Sequence, residues 1–178
     1  MCIRDRGDAV TGQRVIDGKI RYFDEDGKQI KNSLKTLANG DKIYLDDDGV
    51  AATGLQHVGD KIMYFDEDGK QVVSKFVSTK DGSWYYLNQD GVAAVGPISI
   101  NGQSLYFDQD GKQVKYNEVR NSDGTTNYYT GLTGEKLTQD FGELPDGSWI
   151  YLDAQGHTVT GAQIINGQNL YFNEDGIQ

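Results

Sequence analysis

The sequence predicts an all-β fold, a β-solenoid of stacked short β-hairpin repeats of about 20–23 residues. Three observations point there. First, a tyrosine, an apolar residue and a glycine recur at fixed offsets, as in Tyr22-Phe23-Asp24-Glu25-Asp26-Gly27, and eight such tyrosines stand 22, 20, 22, 20, 23, 22 and 20 residues apart. Second, another glycine precedes each tyrosine by four or five positions, which places sixteen of the 23 glycines in turns, where positive φ is needed. Third, no stretch sustains the apolar period of a helix.

In chain order, residues 1–6 lack the tyrosine and the acidic turn and are expected to be a non-native or disordered leader. Gly7 to Gly12 matches the tail of a unit such as Gly49 to Gly54, so the solenoid is expected to occupy 7–178 as about eight units. These centre on Tyr22, Tyr44, Tyr64, Tyr86, Tyr106, Tyr129, Tyr151 and Tyr171. Each unit reads as two strands joined by the Asp-x-Asp-Gly turn. With Asp24 to Gly27 as a four-residue loop, Phe23 pairs with Lys28 and Tyr22 with Gln29. Tyr22, Ile20, Gln29 and Lys31 then share an exposed face, and Arg21, Phe23, Lys28 and Ile30 face the core. The residue after each tyrosine agrees with that: Phe23, Leu45, Phe65, Leu87, Phe107, Leu152 and Phe172 are apolar, and only Thr130 departs. A lone hairpin is marginal in water, so the units must stack to bury these side chains.

Two kinds of unit alternate. Type A, at Tyr22, Tyr64, Tyr106 and Tyr171, has Phe next and Gln seven residues on (Gln29, Gln71, Gln113, Gln178). Type B, at Tyr44, Tyr86 and Tyr151, has Leu next and Ala51, Ala93 or Thr158 in place of the Gln. The unit at Tyr129 reads as a decayed insertion in this rhythm. The last type A unit stops at Gln178, and the chain is expected to be a fragment of a longer protein.

Charge narrows the function. Seventeen Lys and Arg against 27 Asp and Glu give a net charge of −10, a poor footing on nucleic acid, whose affinity comes from clustered cations. No apolar run approaches the roughly 20 residues of a spanning helix, so membrane insertion is not expected. The single cysteine cannot form an internal disulfide.

The residues themselves point to sugar binding. A pyranose offers an apolar C–H face and a rim of hydroxyls, so it suits an aromatic plate flanked by amides and cationic donors. Type A units carry that set: Tyr106, Gln113 and Lys115; Tyr22, Gln29 and Lys31; Tyr64 and Gln71, with Val73 in place of the lysine; and Tyr171 and Gln178. Trp84 with Tyr86, and Trp149 with Tyr151, are i, i+2 pairs that serve either as secondary plates or as packing between units. The acidic turns lack the flanking ligands of an EF-hand loop, so they read as turn caps, and no metal or cofactor is expected. His57 and His157 occupy unrelated places in their units and pair with no nucleophile, so no catalytic residue is assigned.

The run Ile100-Asn101-Gly102-Gln103-Ser104-Leu105-Tyr106-Phe107-Asp108-Gln109-Asp110-Gly111-Lys112-Gln113-Val114-Lys115, with Gly161 to Gly176, resembles the glucan-binding repeats of secreted glucansucrases, dextransucrase-type enzymes within the wider cell-wall-binding repeat superfamily. The resemblance implies a non-catalytic β-solenoid that binds α-glucan, with a catalytic glucansucrase domain in cis, secreted or held at a bacterial cell surface. It maps sugar pockets onto Tyr106, Gln113 and Lys115 and onto Tyr22, Gln29 and Lys31. Two alternatives stand beside it: a choline-binding cell-wall anchor, whose aromatic cages are incomplete here because Gln13, Leu55, Pro97 and Ala162 follow the opening glycines, and a structural spacer without ligand.

Overall fold

A computed structural model describes residues 10–130 and 132–178; the expected leader at 1–6 lies outside the described residues. Among the described residues sixteen strands form eight two-stranded antiparallel sheets, each a hairpin of consecutive strands. No described residue is helical. Contacts divide the chain into two compact units, the first running to Gly82 and including Tyr86–Ala93, the second comprising Ser83–Tyr85 and Ala94–Gln178.

The two sequence types become two kinds of hairpin. Type A hairpins are β1 (Gly12–Ile16) with β2 (Lys19–Phe23), β5 (Gly54–Val58) with β6 (Lys61–Phe65), β9 (Gly96–Ile100) with β10 (Gln103–Phe107), and β15 (Gly161–Ile165) with β16 (Gln168–Phe172). Their turns are two residues long. Asp17 and Gly18, for example, have φ of 53° and 72°, the left-handed pair of a type I′ turn. Type B hairpins are β3 (Ser33–Thr36) with β4 (Lys42–Leu45), β7 (Lys75–Ser78) with β8 (Trp84–Leu87), β11 (Asn117–Arg120) with β12 (Thr126–Tyr129), and β13 (Phe141–Glu143) with β14 (Trp149–Tyr151). Their loops are longer; that of 37–41 is closed by Leu37 N–H donating to the Asp41 carbonyl at 2.7 Å.

The structure corrects the expected hairpin. The principal turn lies before each tyrosine, and the acidic turn after it leads out of the hairpin to a single bridge. That bridge joins Phe23 to Gln29, not to Lys28. The reason is local. Asp24 Oδ1 accepts both the Asp26 and Lys28 N–H groups, at 3.0 and 2.8 Å, and Asp24 N–H donates to the Lys28 carbonyl, so Lys28 closes the loop instead of opening a strand. A slip of one residue exchanges faces. Gln29, Gln71 and Gln113 are thus bridged to Phe23 and to the core residues Phe65 and Phe107 and do not share the tyrosine face.

Neighbouring hairpins are joined by a repeated pair of contacts. In the first, the backbone N–H of the bridged residue donates to a carbonyl two residues before the tyrosine of the preceding hairpin. The pairs are Ala51 to Ile20, Gln71 to Lys42 and Ala93 to Ile62 in the first unit, and Gln113 to Trp84, Lys136 to Ser104, Thr158 to Thr126 and Gln178 to Trp149 in the second, all within 2.7–3.1 Å. In the second, the same residue's side chain runs beneath the turn glycine of the following hairpin. Gln29 Nε2 donates to the Asp48 and Gly49 carbonyls at 3.1 and 3.3 Å, and Gln71 Nε2 to those of Asp90 and Gly91 at 3.2 and 3.3 Å. Gln113 Nε2 reaches the Thr133 carbonyl at 2.9 Å.

The unit expected to be decayed is a type B hairpin with an enlarged turn. Tyr128, not Tyr129, occupies the repeated tyrosine position: Leu137 N–H donates to the Tyr128 carbonyl just as Ala52 N–H donates to that of Tyr44. Tyr129 stands where Leu45, Leu87 and Leu152 stand and bridges to Lys136, a span one residue longer than that from Leu45 to Ala51. The extra residue restored the tyrosine-to-glycine spacing to its usual value by coincidence, which is why the sequence pattern selected Tyr129. Two type B hairpins therefore follow one another, β11–β12 and β13–β14.

The core lies where the residues after the tyrosines predict it. Leu45, Phe65, Leu87, Phe107, Leu152 and Phe172 are fully buried, joined by Ile43, Met63, Tyr85, Leu105 and Ile150 two positions earlier on the same strand face. Phe23, in the first described hairpin, is half-buried. In the second unit, Tyr128, Ile150 and Leu152 form a buried cluster flanked by Leu137 and Leu144, and Tyr128 Oη donates to the Glu143 carbonyl.

Candidate ligand-binding site

The ladder decides which predicted site residues meet. The Gln113 N–H donates to the Trp84 carbonyl at 2.7 Å, which holds the segment after this acidic turn beside Trp84. Lys115 consequently lies with its Nζ 5.3 Å from the Trp84 ring centroid, and Trp84 is 41% exposed. The sequence joined Lys115 to Tyr106; the structure joins it to Trp84. Tyr106 is half-buried, and its ring packs 5.7 Å from that of Tyr129. The expected set of Tyr106, Gln113 and Lys115 does not assemble on one face, since the Gln113 amide is committed to the next turn.

The same frame locates the other residues. Trp149 is 45% exposed at the position of Trp84, and Gln178 N–H donates to its carbonyl at 2.9 Å. At the second type A unit Gln71 N–H meets the carbonyl of Lys42, so a lysine stands in the tryptophan position and Val73 in the lysine position. Tyr64 is half-buried opposite Leu55. Tyr171 is the most exposed tyrosine in the repeated position, at 68%, opposite Ala162. Tyr86 and Tyr151 pack across their hairpins on Phe76 and Phe141, with ring centroids 4.9 Å apart in both.

Tyr22 lies between two clefts in the first unit. One, of about 590 Å³, is lined by Thr11, Gly12, Phe23, Asp24 and Lys35 among others; the second, of about 320 Å³, by Gln13, Leu37, Ala38 and Asn39. Lys35 Nζ sits 5.0 Å from the Tyr22 ring centroid. Gln29 is turned away under Gly49, and Lys31 is exposed. Lys35 was not singled out in the sequence, because its partner lies on the preceding hairpin and only the stacking register brings the two together.

The acidic turns hold their carboxylates in backbone hydrogen bonds. Asp46, Asp66, Asp108 and Asp153 each accept from the residues two and four positions on, and Asn88 and Asn173 do the same without a charge. Hydrogen bonds from the Thr125 and Ser148 side chains hold Asp123 and Asp146 below the usual carboxylate range. Burial pushes the phenols of Tyr128 and Tyr129 and the carboxyl of Glu118 upward. Among the described residues no group of three His, Cys, Asp or Glu is placed to hold a metal ion, and no helix is long and apolar enough to cross a membrane.

Comparison with known proteins places this geometry. Glucosyltransferase-S of Streptococcus mutans is 42% identical over 52 residues, 29% of this chain and 4% of that protein. Glucosyltransferase-I of Streptococcus downei is 45% identical over 51 residues, again 29% of this chain and 3% of that protein. The chain thus matches only a small part of the length of these relatives. The crystal structure of choline binding protein F from Streptococcus pneumoniae superposes with a TM-score of 0.69 at 22% identity, over 94% of this chain and 57% of that one, which shows a shared fold. The choline-binding repeat family matches residues 10–51, 52–96, 94–141 and 159–178, most of the sequence. This chain belongs to the choline-binding repeat family.

Proposed function

We propose that this chain is a non-catalytic carbohydrate-binding array that holds α-glucan of the dextran kind, and that it serves a secreted or surface-held bacterial glucansucrase whose catalytic domain lies in cis. The observation that carries this reading is Lys115 over the exposed ring of Trp84. A choline cage needs open aromatic faces around a quaternary ammonium. Here a protein cation already occupies the face, and a second like charge is repelled. A neutral sugar meets no such conflict: it can stack on the indole and accept hydrogen bonds from the ammonium. The kinship with streptococcal glucosyltransferases supports the same choice.

Exposed plates of this kind bind weakly one at a time, on the order of millimolar or about −4 kcal/mol. A polymer touching two plates gains avidity of roughly 10²- to 10⁴-fold when the spacing permits. Affinity electrophoresis in dextran gels tests this. Retention is expected for the native chain, a clear loss for Trp84→Ala and Lys115→Ala, and no elution by choline. Binding to choline resin, with Lys115→Ala binding it more tightly, would reinstate the cell-wall anchor; equal affinity for isomaltotriose and long dextran would remove the multivalent account.

A further inference from the structure

One pocket in the second unit is built from residues that break the repeat. It measures about 300 Å³ and is lined by Ser99, Ser104, Asn127 and Tyr129, with Ile98 and Leu105 supplying apolar wall. Each polar member replaces something else in the sister hairpins. Ser104 and Ser99, paired across β9 and β10, occupy the place of Ile20 with Val15, Ile62 with His57, and Asn169 with Ile164. Asn127 stands on β12 where the other type B hairpins have the buried Ile43, Tyr85 and Ile150. Tyr129 stands where they have leucine. Against most of their sister positions these residues exchange larger or apolar side chains for neutral hydrogen-bonding groups, and the four converge on one cavity.

The core does not gain from them. Asn127 is 9% exposed; its Nδ2 donates to Asn121 Oδ1 at 3.3 Å, while its own Oδ1 is buried with no hydrogen-bond partner among the described residues. A buried acceptor without a partner is destabilising, and a donor from outside would relieve it. Lys136 also lines the pocket, but its stem runs beneath the next turn: Cε lies 2.3 Å from where a Cβ on Gly156 would stand. The remaining polar groups are hydroxyls and an amide. Such a site favours a neutral, hydroxyl-rich ligand, and its volume lies at the lower end of the small-molecule range of about 300–1,000 Å³.

We infer that the pocket of Ser99, Ser104, Asn127 and Tyr129 is a separate subsite for one neutral hexose unit, read by hydrogen bonds and not by an exposed aromatic plate. The inference rests on the carbohydrate-binding reading but on none of its plate residues. Titration of the ¹⁵N-labelled chain with isomaltotriose tests it. Saturable shifts are expected at the amides of Ser99, Ser104 and Asn127. Asn127→Ile and Ser104→Ile, which restore the residues of sister hairpins, are expected to weaken those shifts by about tenfold or more in apparent affinity, and Asn127→Ile to keep or raise the unfolding midpoint. Trp84→Ala is expected to leave them unchanged. Amides that stay unmoved by sugar, or shifts identical in both isoleucine variants and the native chain, overturn the subsite. Loss of dextran retention only in Trp84→Ala, with the pocket silent, supports the array and sinks this inference; pocket shifts without any Trp84-dependent retention do the reverse.

Discussion

The two junctions Gln71–Gly91 and Ala51–Gly69 make the same connection with different side chains. A Cβ on Gly91 would lie 2.3 Å from Gln71 Nε2, whereas one on Gly69 would lie 3.2 Å from the Ala51 methyl. At these two junctions the type A hairpin sends an amide under the following turn and hydrogen-bonds its carbonyls, and the type B hairpin sends a methyl and fills the gap by contact. Both glycines have positive φ, at 74° and 76°. Their own backbone would already favour glycine. The comparison shows a second, separate demand, since each turn is also the lid on its neighbour's side chain. The alternation of Gln and Ala in the sequence is the record of two ways to close one interface.

The sharpest way to break the comparison is to add the missing Cβ. Gly91→Ala combines left-handed strain of about 1–2 kcal/mol with a clash against Gln71, and about 3 kcal/mol of destabilisation in total is expected in urea unfolding. Gly102→Ala, at a φ of 82° with no atom of the described residues within 4 Å of the added carbon, is expected to lose only about 1–2 kcal/mol from the same strain. Equal losses at the two sites would show that the neighbour contributes nothing.

A smaller effect sharpens the same point. Gln71→Ala removes hydrogen bonds to two carbonyls and is expected to cost about 1–2 kcal/mol. In the Gly91→Ala background it removes the clash as well, so the double variant is expected to be less destabilised than the sum of the singles, with a coupling of about 1 kcal/mol or more. Strict additivity of the three unfolding free energies would deny the interlock.

At the turn itself, Asp66→Ala is expected to cost about 1 kcal/mol through loss of two backbone hydrogen bonds, and Asp66→Asn about zero, because Asn88 makes the equivalent bonds. An asparagine variant as unstable as the alanine one would mean that the carboxylate charge matters.

The smallest expected effect concerns pH in the doubled type B region. Glu118 accepts from Thr158 Oγ1 at 3.1 Å, and burial raises its pKa despite that bond. The folded state therefore holds this proton more tightly than the unfolded state, so its contribution to stability rises as pH falls through the raised value. Glu118→Gln is expected to raise the unfolding midpoint at neutral pH, with the gain shrinking on acidification. A gain independent of pH would assign the effect to packing alone.

Much of the hairpin ladder could be read from the chain. The apolar residue after each tyrosine marks a fully buried position in six of the seven type A and type B units named for it, because a strand with one covered face alternates with period two. The glycines before the tyrosines and in the acidic turns likewise appear where φ is positive. The face of Gln29 and its relatives was not legible. It depended on whether the Asp24 loop closes over four residues or five, and only the hydrogen bonds from Asp26 and Lys28 to one carboxylate oxygen decide that. Tyr128 was hidden for a related reason, as the extra turn residue let Tyr129 imitate the spacing.

By itself the sequence determined that this protein is a stack of hairpins of two kinds, since periodic glycine and alternating apolar residues act within a few bonds of one another. Only the tertiary structure decided which side chains face each other across hairpins. Lys115 meets Trp84, Lys35 meets Tyr22, and Ser104 meets Asn127 because backbone hydrogen bonds set the offset between hairpins. Those partners lie 13 to 31 residues apart in the chain, and a ligand site made of them exists only once the stacking register is set.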